Sequence, residues 1–216
     1  MWTMRLKRSR LAVLGAAVTV LTLAACAPPG QEGDPGVAAT YEGTDVTNAG
    51  VNVTYQAWLN DTKGTDVANR RQILTIDLLQ DDLLAKCKDL GYPVTWATAT
   101  NYANNWITFK GVTGTASEAM ISATQGILAL YVVANVDPTL GDLKTISDKV
   151  AKTVVVSPRS GVYSTDELLA SVKAAMKSAE NQQLGTQFSY TEYQNVSALT
   201  DEDRSWFDRG GAASAS

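Results

Sequence analysis

The amino-acid sequence predicts a mainly α domain closed by a small two-stranded sheet that pairs its first and last strands. Three observations carry this expectation. The stretch from Val67 to Leu90 places Ile76, Leu79, Leu83, Cys87 and Leu90 at three- and four-residue spacing, and Leu74, Leu78 and Ala85 widen the stripe; that is the pattern of an amphipathic helix facing a core. Helical periodicity then recurs in several segments on either side of it. Finally, a β-type run at Val37–Tyr41 and a β-branched run at Thr153–Val156 stand at opposite ends of the helical block. A lone strand leaves its backbone groups unsatisfied, so the two are expected to pair with each other.

Taken in order, Val37–Tyr41 is a short strand, Glu42-Gly43-Thr44-Asp45 a turn, and Thr47 the N-cap of a helix carrying Val51, Tyr55, Trp58 and Leu59 to about Asn60. The Gly64-containing segment 61–66 connects it to the central helix, which Gly91 and Pro93 stop. On that helix Asp82 and Lys86 are spaced for an i,i+4 pair. Thr95 caps a third helix with Trp96, Ala99, Ala103 and Trp106; residues 108–115 form a connector; Ser117 or Thr115 opens a buried helix running to Ala134. Leu140, Leu143, Ile146 and Val150 mark a further amphipathic helix within 139–152. Ser164-Thr165-Asp166-Glu167 reads as a capping box that opens a helix with Leu168, Leu169, Val172 and Met176. Beyond Gly185 only a short helix from Thr200 to Asp208 is expected, with 210–216 as a disordered tail.

The N-terminus reads differently. Arg5, Lys7, Arg8 and Arg10 precede an apolar run, Leu11–Leu23, too short for an ordinary membrane span, as in a secretory signal of 25 residues. Leu23-Ala24-Ala25-Cys26 resembles the lipobox of bacterial lipoproteins, in which the leader is cut before the cysteine and the thiol takes a diacylglycerol. Lipidation at Cys26 implies anchorage by acyl chains at the extracytoplasmic face of a bacterial cell membrane. Residues 26–36 then serve as a solvated, Pro- and Gly-rich tether.

Composition excludes several functions. Without the leader's four basic residues the chain has 14 basic against 22 acidic residues, a net charge of −8, which argues against a nucleic-acid partner. There is no histidine, which removes Ser/His/Asp and Cys/His catalysis and most zinc sites. No phosphate-binding glycine loop or EF-hand pattern occurs. Neither catalytic residues, nor a metal site, nor a cofactor is expected. Asp77, Asp81, Asp82 and Asp89 read as a solvated helix face, and Asp201-Glu202-Asp203 as helix N-terminal charge. With Cys26 lipidated, Cys87 is expected to be a buried thiol; a redox role requires exposure and a basic setting.

The aromatic residues are the functional lead. Tyr55, Trp58, Trp96, Tyr102, Trp106 and Tyr131 fall on three of the expected helices beside the central one, where they either line a groove for extended apolar peptide or fill the core. Exposed aromatic area distinguishes the two.

The order of elements resembles a known family. Val37–Thr47 (VAATYEGTDVT), Gln72–Leu90 followed by Gly91-Tyr92-Pro93-Val94-Thr95, and Val154–Gly161 (VVVSPRSG) resemble the N-terminal domain of SurA-like periplasmic chaperones, in the short lipoprotein form that lacks peptidyl-prolyl isomerase modules. Ser160 and Tyr163 depart from that pattern, standing where the family carries an aromatic and often a tryptophan. The resemblance spans 37–163 and leaves 164–209 as a helical extension. It implies a non-enzymatic binder of unfolded or partner polypeptides. A structural or assembly lipoprotein with one folded partner is the alternative; an isomerase would be a third, with no residue pattern behind it.

Overall fold

The computed structural model describes residues 36–65, 68–181 and 186–200. The leader, Cys26, the tether up to residue 35, Val67, the acidic run 201–203, the helix expected to reach Asp208 and the tail therefore lie outside the described residues.

The described fold is mainly helical with small antiparallel sheets. Strand β1 (Val37–Tyr41) turns through Glu42 and Gly43, both at positive φ, into β2 (Thr44–Thr47), the backbone that a two-residue hairpin requires. Strand β1 also pairs with β3 (Val155–Val156), Ala39 opposite Val156 and Thr40 opposite Val155. The expected pairing of the first and last strands is thus present. The sheet has three strands rather than two, in the order β2-β1-β3, because the hairpin returns before Thr47 caps the first helix. Thr153 closes the preceding helix instead of opening β3.

Helix α1 (Asn48–Asp61) starts at Thr47, whose side chain accepts from the Gly50 amide. Helix α2 (Arg70–Asp89) begins later than its apolar pattern implies, because Asn69 and Gln72 form a reciprocal capping box. It ends where Gly91 (φ 81°) allows the Tyr92 amide to reach Cys87 O and the Gly91 amide to reach Lys88 O. Ile76, Leu79, Leu83 and Cys87 are buried, whereas Ala85 is exposed. The expected Asp82–Lys86 pair is replaced by longer-range partners: Lys86 meets Asp142, and Asp82 meets Lys149.

Helix α3 (Trp96–Phe109) is capped by Thr95 and runs into the expected connector; α4 (Glu118–Val136) is capped by Ser117. Helix α4 is the one described helix long and apolar enough to cross a membrane, and most of it is buried within the fold. It packs so closely on α2 that a Cβ at Gly126 would stand 2.3 Å from Ile76 Cγ2. Helix α5 (Gly141–Thr153) follows the left-handed Leu140, and Asp137 accepts from the Asp142 amide at its start.

The C-terminal part holds more structure than its sequence announces. Two-residue β4 (Val162–Tyr163) pairs with β5 (Leu199–Thr200), so Thr200 closes a strand rather than opening a helix. Helix α6 (Thr165–Asn181) has its Glu167 amide bonded to Ser164 Oγ. A 3-10 helix, Thr186–Asn195, lies between. One hydrophobic core runs through both the 37–163 part and the C-terminal part, joining Leu79 and Met120 to Leu168, Tyr193 and Val196.

Candidate functional site

The six aromatic residues singled out by the sequence separate into three groups. Tyr55 and Trp58 on α1 are buried in the core, Trp58 at 2% exposure, and Arg70 stacks over the Tyr55 ring. Neither ring is open to a ligand. Trp96, at the start of α3, is 46% exposed, close in sequence to Tyr92 at 59%. These are the free aromatics of the region.

Tyr102, Trp106 and Tyr131 do form a row on α3 and α4, and each is covered by an aromatic ring of the 3-10 helix. Tyr190 meets Tyr102 edge-on at 5.1 Å, Phe188 packs on Trp106 at 5.6 Å, and Tyr193 meets Tyr131 edge-on at 5.3 Å. Phe109 stacks on Trp106 and touches Phe188, yet remains 51% exposed. Polar bonds fix the cover: the Tyr190 hydroxyl donates to Tyr102 O at 3.1 Å, Asn135 Nδ2 donates to the Tyr193 hydroxyl at 3.0 Å, and Ser178 Oγ donates to Glu192. Burial pushes the Tyr193 hydroxyl up to about 12. An aromatic face exists on α3 and α4, therefore, and the chain's own C-terminal segment fills it.

Sequence reasoning missed Phe188, Tyr190 and Tyr193. The available signal was their density, three aromatic rings within six residues of an otherwise polar stretch, too many for a solvated linker.

A second concave feature lies between the β1–β2 hairpin and α2. Tyr41, Glu42, Thr44, Val46, Asp77, Leu78, Asp81 and Asp82 line a cavity of about 120 Å³. Its carboxylates are unequally neutralised. Lys149 of α5 bonds Asp82 at 2.7 Å and Glu42 at 3.0 Å, and the Tyr41 hydroxyl donates to Asp82 at 2.7 Å. Burial, followed by that bond to Asp82, pushes the Tyr41 hydroxyl up to about 12. Among the described residues Asp77 has no ion-pair partner, and burial alone pushes its carboxyl up to about 6. It departs from the solvated face expected of the α2 carboxylates, because the hairpin folds over that part of the helix.

Cys87 is fully buried, as expected, with its thiol directed to Ala129 O. Burial pushes the thiol up to about 11, away from thiolate chemistry. No protein-family model, curated protein or solved structure matches this chain.

Proposed function

We propose that this chain is a non-catalytic polypeptide-binding domain, held by a lipidated Cys26 on the extracytoplasmic face of a bacterial membrane and similar in role to SurA-like chaperones. The observation that carries the binding surface is the exposure of Tyr92, Trp96 and Phe109 on and beside α3. Large rings left in water on an otherwise well-filled helical body are the side chains that partner recognition uses most. The histidine-free composition supports binding rather than acid–base chemistry.

The filled aromatic face favours the narrower reading, a lipoprotein with one defined partner. A holdase needs apolar area open to many clients, and here Tyr102, Trp106 and Tyr131 already have ring partners.

Light scattering of a chemically unfolded client, with and without the protein, tests the reading. The broad chaperone role requires suppression of aggregation by the parent and its loss in Trp96→Ala. A photo-crosslinker at position 96 that captures a single folded protein, together with no suppression, supports the one-partner reading. No suppression and no crosslink at 96 would overturn both.

A further inference from the structure

We propose that a cleft between α4, α6 and the 3-10 helix takes a lysine side chain of the bound polypeptide, a role that rests on the polypeptide-binding reading above. Tyr131 and Asn135 of α4, Met176 and Glu180 of α6, and Ser189 and Tyr193 of the 3-10 helix line a space of about 150 Å³. Volume on that scale, about 150 Å³, admits a molecule of benzene's size, and a lysine side chain from Cβ to Nζ is no larger.

The polar lining is rich in unused acceptors. Both hydrogens of the Asn135 amide are engaged, one on Tyr131 O at 2.8 Å and one on the Tyr193 hydroxyl at 3.0 Å, which leaves Oδ1 as an acceptor. Among the described residues the Glu180 carboxylate and the Ser189 hydroxyl make no hydrogen bond or ion pair. Three elements thus bring one acceptor each to one cleft, and one of the three is an anion. An ammonium group carries three donors on a compact charge. Tyr131 and Met176 supply apolar surface for its stem, in the way that long basic side chains bury their methylenes while the head stays polar. A planar guanidinium instead favours a carboxylate it can grip with two parallel bonds.

The charge around the cleft agrees. Glu192 lies at the same seam, its carboxylate accepting from Ser178 Oγ of α6 at 2.7 Å. Lys173 and Lys177, the lysines of α6, are exposed, lie outside the lining and enter no ion pair among the described residues. No cation of the chain's own therefore neutralises Glu180 there. Exposed Val136 follows Asn135 on α4 and offers an apolar contact to a residue flanking the lysine.

NMR titration of the full chain with Nα-acetyl-lysine-N-methylamide reads the site without any client, so the cleft and the Trp96 surface are scored separately. The Met176 methyl and the Tyr131 and Tyr193 ring signals should shift, with binding about fivefold tighter than for the norleucine analogue, the upper worth of one exposed ion pair. Glu180 is exposed, so Glu180→Gln should leave the thermal melt unchanged while removing that preference. Glu180→Lys should transfer it to the glutamate analogue. A lysine flanked by two leucines should bind more tightly than the blocked residue, and free butylammonium less tightly than that peptide. Equal binding of the lysine and norleucine analogues, a lysine preference that survives Glu180→Gln, tighter binding of the arginine analogue, or butylammonium that matches the leucine-flanked lysine would overturn the proposal.

Discussion

The Tyr190 hydroxyl donates to the main-chain carbonyl of Tyr102, 88 residues earlier, while the two rings meet edge to face. A C-terminal segment joined in this way is part of the body it covers. Replacing the neighbouring Tyr193, 1% exposed, by Ala should cost about 3–5 kcal/mol, the range for emptying a large aromatic core site. A thermal melt followed by circular dichroism checks this; a loss under 1 kcal/mol would mean that the segment is a loosely held appendage.

Trp58 and Trp96 should respond in opposite ways. Trp58→Ala removes a ring 2% exposed and should cost about 3–5 kcal/mol. Trp96→Ala touches a ring 46% exposed and should stay within about 0.5 kcal/mol of the parent. Urea titrations of both variants make the comparison, and equal losses would contradict the assignment of one ring to the core and the other to the surface.

Global stability should carry the mark of Asp77. Its folded-state carboxyl titrates at about 6, against 3.8 for the ordinary group. The associated stability is therefore full below the lower value and lost as pH rises through the upper one. Between pH 4.5 and 7 the parent should lose about 2 kcal/mol from this group. Asp77→Asn should be the more stable protein at pH 7 by a similar amount. Urea unfolding at both pH values tests it, and an Asn variant weaker than the parent at pH 7 would show that the carboxylate has a partner.

Gly126→Ala should destabilise by about 1–3 kcal/mol, because the added methyl would stand 2.3 Å from Ile76 Cγ2. Shortening the partner, Ile76→Ala, should recover part of that loss in the double variant. Additive losses in the cycle would rule out steric coupling at this crossing.

The sequence disclosed those parts of the fold that rest on local pattern. The α2 stripe, the caps at Thr47, Thr95 and Ser117, and the pairing of β1 with β3 follow from periodicity, side-chain caps and unsatisfied strand edges. Features set by distant packing were hidden. Helix α2 starts only at Arg70, after the Asn69 cap, because a capping box outranks apolar spacing. Asp82 chose Lys149 over Lys86 because tertiary folding brought α5 within reach. The aromatic residues revealed their importance and not their fate, since whether Trp106 lies open or covered depends on Phe188, 82 positions away. The segment 186–200 was least legible: a 3-10 helix and a two-residue strand have no strong periodicity of their own.

Strand β1 begins one residue after Gly36, where the described chain starts, and runs through the middle of its sheet. Any tension transmitted along the chain from before Gly36 therefore enters the body at a strand gripped on both flanks, with the Asn48 amide holding Gly36 O as well. Because Asn48 opens α1, that bond shares the load between the sheet and the first helix. Mechanically, the fold is fastened at its centre rather than at a fraying end.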